Sequence, residues 1–567
     1  MAESNPVDTE EIEALAEKGR EFAANMAEVV EVSGKIWENF LESQMETNAA
    51  SDPDPLNTWP AIAEFTRAML ENPEEIADAT LGFWQAQQEL WQHAALKWLG
   101  AEDTRHQLHL PHMAKPTKRF DHKEWSENAL FDYIKNSYLL TAGWLQDTVH
   151  SVGDLDPKDR KKLDFYTRQY VEAMNPANFF ALNPEVLEAT VEERGQNLVR
   201  GLKMMLDDMK RGKGRLLIRQ TDMDKFEVGR NLAVTPGQVI WQNEIMQLIQ
   251  YAPATEKVYA RPLLFVPPWI NKYYVLDLNP KKSMVKWLVG QGYTVFMISW
   301  VNPDARQKDE TWESYMHKGA IEAIDKVLEE TGQKSVNLAS YCIGGTMTGT
   351  LLAYLGKKKD KRVRSATFFT AQLDFEDAGE LQVFVDEKTL EMVDEQMEKG
   401  YLPAESMATA FNMLRANDLI WAYVVNNYML GRDPFPFDLL YWNADSTAMP
   451  ARVHRFYLKE LYTENAFACD RLKLGRLKLR PSDISVPVYH VATREDHIAP
   501  AHSVYLGARM MTGADVRFVL SGSGHIAGVV NPPALKKYQH WVNEDMSPET
   551  LDEWLKGAVE VPGSWWP

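Results

Sequence analysis

Apolar side chains recur at steps of three, four or seven through the first part of the chain. Ile12, Leu15, Phe22, Met26, Val29, Ile36 and Phe40 mark one face of an amphipathic helix over residues 9–46. Ser51-Asp-Pro-Asp-Pro breaks it. Two helices are predicted next, at 57–70 and 74–99, the second carrying Ile76, Phe83, Trp84, Trp91, Ala95 and Trp98. This stripe packs on the first helix or meets an apolar surface. Residues 124–210 are again helical in pattern, interrupted at Gly153-Asp-Leu-Asp-Pro and Met174-Asn-Pro-Ala-Asn. Residues 1–212 therefore read as an all-helical N-terminal domain.

The texture changes near Lys213. Short apolar runs at 262–266, 293–299, 336–339, 366–370, 486–492 and 516–520 alternate with helical patterns at 282–290, 312–331 and 344–355. Strands alternating with helices predict an α/β domain over 213–567, with a parallel sheet covered on both faces. Residues 372–450 break that rhythm, and an insertion of this size between strands reads as a cap over a site.

Composition narrows the class. The 567 residues are 45% hydrophobic and 25% charged, ordinary for a globular protein. No apolar run reaches the roughly 18 residues a membrane span needs. The polar start, Met-Ala-Glu-Ser-Asn-Pro, is not a secretory signal. Two cysteines, Cys342 and Cys469, exclude a disulfide framework and fit a reducing cytoplasm. A net charge of −20 argues against general nucleic-acid binding. His106, His109 and His112 cluster in a loop, but no Cys or acidic partner completes a zinc pattern, so no metal is expected.

Candidate chemistry begins at Cys342, between the run 336–339 and a helix that opens with small residues. Strand, sharp turn, then helix is the layout of a nucleophile elbow. The turn is tight enough to require small residues two before and two after its tip. Ser340 and Gly344 meet that need, although glycine at both places is the usual pattern. An inert buried cysteine would fit this stretch alone. Two later loops decide between these readings. Thr493-Arg-Glu-Asp-His-Ile-Ala-Pro500 follows one predicted strand, and Ser521-Gly-Ser-Gly-His-Ile-Ala-Gly528 follows the next. Nucleophile, acid and histidine, in that order at strand C-termini, match the α/β-hydrolase triad. A cysteine thiol at its ordinary pKa of about 8.5 is mostly protonated at neutral pH, so it needs a base. His525 is the candidate base and Asp496 its orienting acid, with Glu495 and His497 as rivals in the same loop. The backbone N–H of Ile343 is a candidate oxyanion donor, and Trp269 or Ile270 would supply the second. Cysteine suits thioester substrates, because exchanging one thiol for another costs little and leaves an acyl group still able to pass to an alcohol.

The chain resembles the class I polyhydroxyalkanoate synthases over residues of about 120–545. The resemblance rests on Asn271-Lys-Tyr-Tyr-Val-Leu-Asp277, Ser340-Tyr-Cys-Ile-Gly-Gly-Thr346, Asn417-Asp-Leu-Ile-Trp421 with Pro436-Phe-Asp-Leu-Leu440, Arg494-Glu-Asp-His-Ile498, and Gly524-His-Ile-Ala-Gly-Val-Val-Asn-Pro-Pro533. Ser340 and Trp269 depart from the family, which has glycine and a small residue there. The resemblance implies an α/β-hydrolase fold and a polymerase of (R)-3-hydroxyacyl-CoA that loads acyl groups onto Cys342 and releases CoA. It implies no cofactor, CoA entering only as part of the substrate. It also implies a homodimer on polyester granules in the cytoplasm, alongside granule-coat proteins. The rival readings are a thioesterase or depolymerase on the same fold, and a non-catalytic granule scaffold.

Overall fold

The computed structural model describes residues 9–46, 58–71, 73–99, 110, 113–152 and 155–567. His106, His109 and His112 lie outside them. The chain divides into two compact units, residues 1–222 with 412–435, and residues 223–411 with 436–567.

The first unit is helical. Its long opening helix, Thr9–Glu46, packs along Gln196–Arg211, and Pro73–Trp98 packs along Ala129–Ser151. Ala86 and Leu90 carry the second contact, buried with Leu140. The tryptophans of that helix sit at the margin of this contact, where Trp91 meets Tyr133 of the partner helix at 5.6 Å. Trp84, Trp91 and Trp98 are nevertheless 62%, 59% and 73% exposed, so the tryptophans are not the buried centre of the packed stripe. Residues 412–435, inside the stretch expected as a cap, belong to this helical unit. Asn197 Nδ2 donates to the Met429 carbonyl (2.8 Å), and the Tyr428 hydroxyl donates to Asp208 (2.8 Å). Among the described residues no helix is long and apolar enough to cross a membrane.

The second unit is built on ten strands: β1 (Gly237–Gln242), β2 (Met246–Tyr251), β3 (Leu263–Val266), β4 (Val295–Trp300), β5 (Val336–Tyr341), β6 (Val363–Phe369), β7 (Val488–Thr493), β8 (Val516–Ser521), β9 (Gln539–Asn543) and β10 (Val559–Pro562). Their spatial order is β1-β2-β4-β3-β5-β6-β7-β8-β9-β10. The six strands from β4 to β8 run parallel, and antiparallel hairpins extend both edges. The inner strands are apolar on both faces because both are covered. Leu264, Phe296, Leu338 and Phe368 enter one core layer, while Phe265, Met297, Ala339 and Phe369 enter the other. This alternation is the period of two that a strand imposes. The six predicted runs are β3 to β8, with ends shifted by a few residues. The outer hairpins were not read from the sequence: β1 and β10 are both mostly exposed, so neither carries an apolar run.

The loop after β3 and the segment 438–447 are tied together. Lys272 Nζ pairs with Asp445 (2.6 Å), the Tyr274 hydroxyl donates to the same carboxylate (2.7 Å), and Trp442 Nε1 donates to the Lys272 carbonyl (2.7 Å). The first motif of the resemblance is thus held by residues just beyond another, residues 436–440.

Candidate active site

Cys342 stands between β5 and the helix Ile343–Lys358, with φ 51° and ψ −128°. A side chain rarely adopts this backbone conformation, which costs about 1–3 kcal/mol and persists only where the surroundings enforce it. They do so here. The Cys342 N–H donates to the Phe369 carbonyl (2.9 Å), and its carbonyl accepts from the N–H groups of Gly345 (2.8 Å) and Thr346 (3.0 Å). At Gly344 a Cβ would fall 2.5 Å from the carbonyl oxygens of Val266 and Pro267, so the close approach of the β3 loop demands glycine. Ser340 is tolerated because its hydroxyl finds the Thr367 carbonyl on β6 (3.3 Å) inside the core.

The acid loop follows β7. Both oxygens of Asp496 are engaged. Oδ1 accepts from the N–H groups of Ile498 and Ala499 (2.9 Å each), and Oδ2 accepts from the Thr493 hydroxyl (3.0 Å) and from His525 Nδ1 (2.7 Å). Glu495, the rival acid, is exposed. The ring beside Asp496 belongs to His525, not to the neighbouring His497. His525 follows β8 and lies close enough to the Cys342 side chain for the two to interact electrostatically. Tyr341 seats this histidine, its ring stacked on the imidazole at 5.4 Å and its hydroxyl donating to the His525 carbonyl (2.8 Å).

Three groups drawn from distant parts of the chain thus come together: Cys342, His525 and Asp496. Their electrostatics are coupled. Burial by itself pulls the His525 pKa down, but the Asp496 carboxylate, the charge on Cys342 and the hydrogen bond to Asp496 outweigh it and raise the pKa to about 10. Burial pushes Asp496 upward, yet the His525 cation and the donors around the carboxylate hold it below its ordinary value. The arrangement favours a cationic imidazole beside the Asp496 carboxylate.

Ile343 opens the helix after the elbow, where the first N–H groups of a helix lack intrahelical acceptors. Trp269 is fully buried, and its ring packs against Trp300, Trp312 and Tyr315 at 4.9–5.8 Å. Its carbonyl accepts from the Thr447 hydroxyl (2.8 Å), and Ile270 beside it is partly buried. The large residue at 269 is therefore accommodated as core.

Two groups near the cysteine escaped the sequence reading. Tyr457 and Tyr462 are buried, meet edge to face at 5.1 Å, and are close enough to Cys342 to feel its charge. Burial first, then neighbouring negative charge, raises both pKa values, so both hydroxyls stay protonated donors. They lie in the π-helical stretch Tyr457–Thr463, where the apolar pattern marks only a helix. Thr493 and Tyr341 were given no role in the sequence reading, although each lies within a stretch singled out there. Among the described residues no cluster of three His, Cys, Asp or Glu could hold a metal ion.

A strained cysteine on an elbow, served by histidine and aspartate from successive strand ends, belongs to the α/β-hydrolase class. The alpha/beta hydrolase fold model matches residues 261–532, and the model of the poly-beta-hydroxybutyrate polymerase (PhaC) N-terminus matches residues 116–288. A poly(3-hydroxyalkanoate) polymerase of Methylorubrum extorquens is 47% identical over 98% of this chain and 90% of its own length. The poly(3-hydroxyalkanoate) polymerase subunit of Rhizobium etli is 44% identical over 96% and 86%. That of Cupriavidus necator is 43% identical over 79% and 76%. The chain belongs to the poly(3-hydroxyalkanoate) polymerase family, and with it to the acyltransferase-type enzymes.

Proposed function

We propose that the chain joins (R)-3-hydroxyacyl groups from their CoA thioesters into a polyester, with Cys342 carrying the acyl group and CoA released. The observation that supports this most is the Cys342–His525–Asp496 line, with a cysteine rather than a serine at the strained elbow.

In the first half-reaction the Cys342 thiol gives its proton to His525, and the sulfur attacks the thioester carbonyl carbon. The oxyanion faces the N–H of Ile343 and a second N–H at Trp269 or Ile270. Collapse expels the CoA thiolate, which takes the proton from His525. In the second half a hydroxyl, on the growing chain or on the next monomer, passes its proton to His525. Its oxygen attacks the acyl carbon, and the Cys342 sulfur leaves and is reprotonated. A C–O ester bond forms as a C–S thioester bond breaks. Asp496 holds the ring by Nδ1 and stabilises its cation through both halves. On this reading the product is an apolar polyester, and the chain works as a homodimer at a granule surface beside granule-coat proteins.

The test is purified chain with (R)-3-hydroxybutyryl-CoA and longer homologues, following free thiol and product mass. Thiol release with polymer, and an acyl adduct on Cys342, is the expected result. Free hydroxy acid as the sole product would make the chain a hydrolase and overturn the proposal.

A further inference from the structure

The residues after β10 turn back beneath the loop that carries His525. Trp565 Nε1 donates to the Gly528 carbonyl (2.9 Å), and Trp566 Nε1 donates to the Val529 carbonyl (2.9 Å). These carbonyls lie three and four residues beyond His525. The Gly528 carbonyl also accepts from the Ser521 hydroxyl (2.8 Å), so that loop position is held from both sides. Its neighbourhood leaves no slack, since a Cβ at Gly528 would fall 2.4 Å from the Thr493 methyl. Thr493 in turn donates to Asp496. Trp565 reaches the cysteine side as well. Its ring lies 5.3 Å from Phe369, whose carbonyl holds the Cys342 N–H. Behind the two indoles is a cavity of about 380 Å³, lined also by Trp287, Phe369 and Tyr489. The rings also pack, Trp566 on Trp287 at 5.4 Å and Trp565 near Tyr489 at 6.3 Å, so ring contact and indole hydrogen bond are separate supports of the loop.

We propose that Trp565 and Trp566 are positioning residues for the reaction: their N–H groups hold the His525 loop in register with Asp496 and Cys342. The mechanism is geometric. A proton transfer needs donor and acceptor within hydrogen-bond reach, and a displacement of about 1 Å costs on the order of a hundredfold in rate. The inference rests on the reading of His525 as the base.

The test is the double variant Trp565→Phe and Trp566→Phe, which keeps an aromatic ring and removes both donors. Measured well below its melting temperature with a short hydroxyacyl-CoA, kcat for thiol release falls about tenfold to a hundredfold, and KM stays within about twofold. The His525 titration, read by NMR or by the pH–rate profile, moves down as its contact with Asp496 loosens. A merely stabilising tail would lower the melting temperature and leave kcat and the pH profile unmoved, and that result overturns the proposal. If the double variant does not accumulate, 3-benzothienylalanine at position 565 replaces the N–H by sulfur in an isosteric ring, and the same readouts apply. His525→Ala runs alongside as the control. If it retains activity, the reading of His525 as base fails and this inference with it. If it is inactive while the tryptophan variants keep wild-type kcat and titration, only the positioning role fails.

Discussion

Replacing Asp496 by asparagine changes one atom and, through the hydrogen bonds around it, reverses the histidine. Two backbone donors, Ile498 and Ala499, converge on Oδ1 at 2.9 Å. In Asp496→Asn they draw the amide oxygen to that side, which turns the amide NH₂ toward His525 Nδ1. Nδ1 must then be unprotonated, and the ring proton moves to the nitrogen that faces Cys342. A ring in that tautomer cannot accept the thiol proton. The size of the loss follows from the electrostatics. The rise in the His525 pKa from 6.5 to about 10 is worth roughly 5 kcal/mol in favour of the imidazolium, with burial opposing it and Asp496 the largest favourable cause. Thiol release in the variant should fall about 10⁴-fold, as a wrong tautomer does in serine-type triads. The assay is single-turnover thiol release, together with the His525 titration by NMR, which should fall to 6.5 or below because burial then meets only Cys342. Stability supplies an independent check. A histidine whose folded pKa is raised contributes stability that is fully present below its unfolded value of 6.5 and is lost as pH rises through about 10. Denaturant unfolding of wild type should therefore weaken between those limits, and the variant should lack that component. A rate within tenfold of wild type, or an unmoved His525 titration, would refute the reasoning.

Cys342→Ala should abolish thiol release with the fold intact, and Cys342→Ser should be far slower because an alkoxide is harder to generate than a thiolate; substantial turnover in the alanine variant removes the cysteine from its assigned role. Gly344→Ala puts a methyl 2.5 Å from two carbonyl oxygens and should cost about 1–3 kcal/mol with at least tenfold in rate, seen by melting and by thiol release; full activity would mean that the β3 loop gives way freely. Ser340→Gly should keep kcat and lose about 1 kcal/mol with its buried hydrogen bond to Thr367, so a changed kcat would show that serine tunes the chemistry. His454 and His490 are buried with pKa values lowered to about 4, first by burial. Their contribution is intact above 6.5 and is lost as pH falls toward 4, by about 3 kcal/mol each, so His454→Gln should flatten the acid limb of denaturant stability; an unchanged slope contradicts the assignment.

The elbow was legible in the sequence because its constraints are local. A strand, a tip and small residues two places either side are all written within seven positions. The inner strands were legible for a related reason, since burial on both faces leaves continuous apolar runs. Chain order, with strand ends carrying Asp496 and His525, then followed from fold class alone. Tertiary structure decided what depends on register between distant segments. Glu495, Asp496 and His497 are adjacent in sequence, and only the placement of the β8 loop selects Asp496 as the partner of His525. Tyr457 and Tyr462 reach Cys342 from a helical stretch whose pattern reports packing, not neighbours. Residues 412–435 join the helical unit through side chains such as Asn197 and Tyr428, a choice invisible in the local pattern of either segment. The tryptophans divide the same way. Spacing marks Trp84, Trp91 and Trp98 as one stripe, but which face of a helix is covered depends on its partner, and the partner buried Ala86 and Leu90 while leaving the tryptophans largely exposed. Periodicity records that a side chain has a side. Which side meets what is settled by contacts between residues far apart in the chain.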